Sequence, residues 1–203
     1  MTISKEANQL DLKTILLALF CLISSGMLMA QTTVTIGTGT TTQRYPLGAY
    51  FGYERSASLY LQSEIANAGS MLKVAWYATA ARTTAIPMKI YMKHTTGTTI
   101  TADTWANMIS GATLVYDGTN SSITANAWNE FVLNSAFAYN NSSNLLVLVE
   151  ANYGGSGTSP STGAAPRYST VTGGHMYVQA DSSPPTTTGT VTSSRPNIQL
   201  TVG

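Results

Sequence analysis

Residues 86–94 read IPMKIYMKH, and the apolar side chains fall on alternate positions. Ile86, Met88, Ile90 and Met92 share one face, while Lys89, Tyr91 and Lys93 share the other. A period of two does not make a helical stripe; it marks a strand with one buried face. The run LKVAWYAT at 72–79 sets Leu72, Val74 and Trp76 against Lys73, Ala75 and Tyr77. Near the C-terminus NIQLTV turns Ile198, Leu200 and Val202 inward. Residues 145–149, LLVLV, are apolar on both faces, which suits a central strand covered on both sides. Further strands are expected at 33–36, 57–62, 112–116, 128–133, 165–170 and 175–179, with Gly, Asn, Ser and Pro clusters between them.

This pattern predicts an all-β chain: a two-layer antiparallel β-sandwich of jelly-roll type. An immunoglobulin-like sandwich is the alternative, but it needs fewer strands and fewer residues. One segment breaks the alternation. TADTWANMIS at 101–110 places Trp105, Met108 and Ile109 at helical spacing, with Thr101 as cap, Asp103 in the first turn and Gly111 as stop. One short helix across an end of the sandwich is expected there. Two stretches read as long loops: the glycine-rich NYGGSGTSPSTGAAP at 152–166, and residues 181–194, where Asp181 opens a run of serine, proline, threonine and glycine broken only by Val191.

Residues 1–30 read as a secretory signal peptide: Lys5 and Lys13 precede an apolar run, and Ala30 is the expected last residue removed. The uninterrupted apolar stretch, 15–23, is too short for a bilayer span, which needs about 20 residues. Residues 31–203 are then a single domain. Removal of the leader also removes Cys21, the chain's one cysteine, so disulfides, thiol chemistry and cysteine metal ligands are excluded. Charged residues are only 9% of the chain, with a net charge of +1, while threonine numbers 31 of 203. Such a balance excludes nucleic-acid partners bound by bulk charge. It leaves hydroxyls and amides as the polar surface of an extracellular or cell-surface protein, with no membrane partner once the leader is gone.

Several phrases resemble a module that recurs in secreted multidomain proteins of Bacteroidetes, associated with the type IX secretion route. They are YPLGAYFGYERSASLYLQSEI (45–65), KIYMKHTT (89–96), TWANMISGATLVYDG (104–118), NLLVLVEANYGG (144–155) and RPNIQLT (195–201). The resemblance covers nearly all of 34–203 and implies secretion and a non-catalytic role. In those proteins the module leads further domains and a C-terminal sorting domain. By that comparison this chain is either a piece of a longer protein or a stand-alone copy.

Chemistry is sparse. Ser156 in GGSGT does not form a nucleophile elbow, and His94 and His175 read as surface or rim residues on strands. Two histidines without cysteine make zinc a poor fit. The carboxylates outside the leader are Glu54, Glu64, Asp103, Asp117, Glu130, Glu150 and Asp181. Asp117-Gly118 reads as a hairpin turn, and a buried Glu150 requires Arg55 or Arg167 as partner. Calcium is the one conceivable cofactor, with Asp117, Asn120 and Asp181 as loop ligands, against the simpler reading of ordinary turn chemistry. Aromatic residues carry the binding signal. Tyr50, Phe51, Tyr53 and Tyr60 stand in one run, and Tyr153, Arg167, Tyr168, His175 and Tyr177 border the glycine-rich loop. Such side chains stack on sugar rings and hydrogen-bond their hydroxyls. Trp76, Trp105 and Trp128 are assigned to packing. The expectation is a non-catalytic adhesion module for a glycan or cell-surface polymer. A spacer or self-associating structural unit is the alternative, and a glycoside hydrolase the weakest option.

Overall fold

Alternation becomes strand over nearly all of the chain. The computed structural model describes residues 31–158 and 163–203; the leader assigned to 1–30 lies outside the described residues. The strands are β1 (Thr32–Ile36), β2 (Thr41–Thr42), β3 (Tyr53–Tyr60), β4 (Gly69–Ala78), β5 (Ile86–Thr95) and β6 (Thr113–Asn120). They continue with β7 (Ala127–Tyr139), β8 (Asn144–Asn152), β9 (Arg167–Ala180), β10 (Thr190–Pro196) and β11 (Ile198–Val202). Among the described residues two short helices interrupt them, α1 (Gln62–Ile65) and α2 (Trp105–Ile109).

Sheet I has the order β1-β11-β4-β7, and sheet II the order β10-β9-β3-β8-β5-β6 with β2 paired to β9. The pairings are antiparallel throughout. Setting aside β2 and the β9–β10 hairpin, the pairs are nested: β5 with β6, β4 with β7, β3 with β8, β1 with β11. Successive pairs fall in alternate sheets. This is a long hairpin rolled into two layers, the jelly-roll order. The added hairpin β9–β10 widens sheet II along β3.

The centre of sheet II, β3 and β8, is covered on both faces. Its inner face joins sheet I in one core that contains Met88, Ile90, Val147, Val149, Trp76, Phe131 and Leu200. Trp76 meets Phe131 edge-on at 5.4 Å. Its outer face carries a second cluster, in which Trp105 and Met108 of α2 pack with Ala57, Leu59, Leu146, Leu148 and Met176. The doubly apolar run at 145–149 is thus a central strand, as its pattern requires.

Helix α2 is shorter than 101–110, and Thr104 rather than Thr101 caps it, accepting from Asn107 N at 3.4 Å. Helix α1 was not legible in advance. Its first turn is held by side chains, with Glu64 accepting from Leu61 N and Asn144 from Gln62 N. Strand β10 occupies part of what reads as a loop at 181–194. The strands expected at 165–170 and 175–179 are one bent strand, β9. Along β9 the paired residue jumps from His175 to Thr170, while its partner on β10 advances only from Thr192 to Ser194. Asp117-Gly118 is not a turn: both residues lie inside β6, opposite Lys89 and Met88.

Trp76 is 1% exposed at the centre of the inner core. Trp76→Ala is expected to lower the unfolding free energy by about 3–5 kcal/mol, read from a urea melt.

Candidate functional site

Two aromatic side chains stand out at one rim of the sandwich: Tyr50 is 42% exposed and Tyr153 is 40% exposed. Tyr50 belongs to the segment entering β3, and Tyr153 directly follows β8, the partner of β3. Glycine lets the two segments that carry them meet. Gly154 N donates to Gly52 O at 2.7 Å, and Thr158 N donates to Ala49 O at 2.7 Å. A Cβ on Gly52 would lie 2.2 Å from Gly155 O, and one on Gly157 (φ +74°) would lie 2.1 Å from Tyr50 O. A third segment closes the seam, as Ser182 N donates to Gly155 O at 2.7 Å and Gly52 N to Asp181 Oδ1 at 3.0 Å. The described part of the glycine-rich stretch is therefore laced to 49–52.

Behind Tyr50 lies Arg44. Its guanidinium centre is 4.8 Å from the Tyr45 ring, 5.6 Å from Tyr50 and 5.3 Å from Phe51. Tyr50 and Phe51 meet edge-on at 5.2 Å. Arg44 Nε is 2.7 Å from Glu54 Oε1, and Arg44 Nη2 donates to Gln179 Oε1 at 2.5 Å and to Tyr45 OH at 2.7 Å. Tyr45 OH also donates to Gln179 Oε1. Burial pushes the Glu54 carboxyl up, against the downward pull of Arg44. Segment 45–49 is buried throughout, and its Tyr45 covers part of β9. Tyr45 stacks on Tyr177 at 4.7 Å and tilts over His175 at 5.8 Å.

The five residues expected to bind together do not meet. Tyr153 is on the rim. Arg167 and Tyr168 open β9 opposite Thr42 and Thr41, and Arg167 lies 4.1 Å over the Tyr77 ring. Tyr177 is half-buried beneath Tyr45, on the other arm of the bent strand. His175 is 0% exposed, with Nδ1 3.1 Å from Ser58 Oγ, so it is a core residue rather than a rim one. His94 does sit toward the surface, accepting from Asn140 N at 3.3 Å. Tyr50, visible in the sequence as part of the run with Phe51, Tyr53 and Tyr60, is the residue whose segment borders Tyr153, and Arg44 is the addition. The signal that could have found Arg44 was its place just ahead of the glycine-bracketed run LGAYFGY.

Asp117, Asn120 and Asp181 do not share a site either. Asn120 ends β6 and Asp181 follows β9, four strand spacings away across β5, β8 and β3, or about 19 Å. Asn120 Oδ1 accepts from Arg82, and Asp117 pairs with Lys89 at 3.3 Å. Among the described residues no group of three or more His, Cys, Asp or Glu side chains could hold a metal.

Each carboxylate outside the leader has a structural partner. Glu64 pairs with Arg195 at 2.7 Å, Glu130 with Lys73 at 3.0 Å and Glu54 with Arg44. Asp103 accepts from Thr104 N at 2.7 Å. Glu150 takes Arg55, not Arg167, at 3.8 Å, and also accepts from Trp105 Nε1 at 2.7 Å and Tyr91 OH at 3.3 Å. The chain matches no family model, no curated protein and no solved structure.

Two outcomes follow. Gly157→Ala adds a Cβ against the Tyr50 carbonyl at an unfavourable positive φ. It is expected to cost about 1–3 kcal/mol and to unfasten the rim, seen as faster amide exchange at Gly154 and Thr158. Burial holds the His175 pKa down at about 3, against an ordinary 6.5. The unfolded chain therefore binds the extra proton, and stability conferred by neutral His175 is full above pH 6.5 and is lost as pH falls toward 3. The slope is up to about 1.4 kcal/mol per pH unit. Glu54 acts in the opposite sense near its own raised pKa, so the test is the difference between wild type and His175→Gln in urea melts at pH 7, 5.5 and 4.5.

Proposed function

We propose that the domain is a secreted, non-catalytic binding module that holds a glycan or cell-surface polymer against Tyr50 and Tyr153. The observation that carries this reading is that these two exposed aromatics belong to neighbouring, hydrogen-bonded segments of one rim. Both side chains spend apolar surface on solvent, yet the backbone beneath them is tied by hydrogen bonds and by glycines that admit no side chain. A fixed aromatic surface suits the apolar face of a sugar, because little freedom is lost on binding. Arg44, already fixed by Glu54 and Gln179, backs the Tyr50 ring.

Support for the non-catalytic part comes from the carboxylates. Glycoside hydrolysis needs two carboxyl groups free to face a bond, whereas the seven here are engaged in ion pairs or backbone contacts. Secretion rests on the leader-like residues 1–30, and the likeness to Bacteroidetes surface modules points the same way.

Tyr50→Ala and Tyr153→Ala are each expected to weaken binding to a retained polysaccharide about tenfold, or ~1.4 kcal/mol, with the melting temperature unchanged. Affinity electrophoresis against a polysaccharide panel measures this. No retardation by any polymer, together with ordered self-association in sedimentation, would favour a structural unit instead.

A further inference from the structure

Of the eight basic residues outside the leader, five pair with carboxylates. Lys93 donates to Ser110 O at 3.2 Å, and Arg167 lies over Tyr77. Arg82 is different. It is only 8% exposed, and it has no ion pair among the described residues. Nη2 donates to Asn120 Oδ1, while Nε and Nη1 are buried without a partner among those residues. Burial alone pulls its pKa down to about 10, and no described acidic neighbour opposes that pull. The backbone is firmly placed: Arg82 N donates to Ile123 O at 3.0 Å, and Ile123 N donates back at 2.7 Å.

A cavity of about 180 Å³ opens beside it, lined by Arg82, Thr83, Thr84, Ala49, Thr158 and Gly163 among others. The described lining contains a cation and hydroxyls but no carboxylate. At ~30 Å³ per water it has room for about six waters, which is less than the ~300 Å³ of a full ligand pocket. It fits one small group or the edge of one ring. Ala49, in its wall, immediately precedes Tyr50. Arg82 lines this cavity, and a guanidinium short of hydrogen-bond partners and of an acidic neighbour among the described residues is a costly arrangement that an anion relieves.

We infer that this cavity receives the carboxylate of an acidic sugar residue, with Arg82 as its counter-ion and the hydroxyls of Thr83 and Thr84 meeting the sugar hydroxyls. The inference rests on the glycan-binding reading and names its ligand class: polymers bearing uronate units. A sulfate or phosphate is also an anion, but the threonine hydroxyls of the lining suit a carboxylate borne on a hydroxylated ring.

The test is an NMR titration of the purified protein with sodium glucuronate, glucose, sodium acetate and sodium sulfate at constant ionic strength. The amides of Thr83 and Thr84 serve as reporters. Glucuronate is expected to bind at least tenfold more tightly than glucose or acetate, and more tightly than sulfate. Arg82→Met should remove that preference, and Arg82→Lys should restore part of it. Tyr50→Ala should weaken glucose and glucuronate alike and leave their ratio unchanged. No shift with glucuronate, or equal binding of glucose, overturns the assignment. Acetate or sulfate binding as tightly as glucuronate overturns it too. If Arg82→Met fails to fold, the wild-type ratios still decide. An intact glucuronate preference with silent Tyr50 and Tyr153 variants would refute the aromatic platform and leave the cavity standing; the reverse result would refute the cavity alone.

Discussion

A strand in the middle of sheet II has no face turned to water. The inner face meets sheet I, and the outer face lies under α2 and its neighbours. A polar side chain there must bring its partner or forfeit several kcal/mol. The consequence is the buried pair Arg55 on β3 and Glu150 on β8, and Lys89 on β5 and Asp117 on β6 continue it at facing positions toward solvent, a row across four strands. Their charges alternate in sign. Trp105 closes the row from above, donating its indole N–H to Glu150 while its ring packs on Leu148 and the rest of the outer cluster. One carboxylate thus locates the helix, and the helix in turn seals the carboxylate.

The same requirement explains which parts of the fold were legible. Strands β4, β5, β8 and β11 announce themselves because apolar residues alone decide their faces. The start of β3 is hidden: the strand expected at 57–62 leaves out Tyr53, Glu54, Arg55 and Ser56, yet Glu54 is 2% exposed and Arg55 4%. Their burial depends on Arg44 and Glu150, and Glu150 lies far along the chain. Local pattern cannot reveal a partner that only the fold brings near. Strand β10 is hidden for a related reason. TVTSSRP offers one aliphatic side chain, Val191, before the buried Arg195-Pro196 end, and its stability comes from pairing with β9. At the rim, the aromatic residues were visible, but their grouping was not. Proximity in sequence joined Tyr153 to Arg167, Tyr168, His175 and Tyr177; the strand pairing joins it instead to the turn before β3.

Scarcity of charge acquires a physical meaning in this light. Nearly every ionised group is used in closing the structure, whether Arg195 and Glu64 fastening α1, or Arg44 and Glu54 fastening the roof over β9. The groups left out of that closing are the two exposed tyrosines of the rim and, among the described residues, one buried guanidinium without a carboxylate partner, Arg82.

The nested order of pairing also determines how the domain would carry load. Its outermost pair joins the first strand to the last, with Thr32 opposite Val202. The two strand ends therefore leave the sandwich side by side. Tension applied through both would open that ladder from its end, one rung at a time, instead of dragging whole strands past each other. Peeling needs far less force than sliding, because only one rung resists at any moment. Attached at a single end, the domain would be spared that weakness, because no tension would cross the β1–β11 ladder.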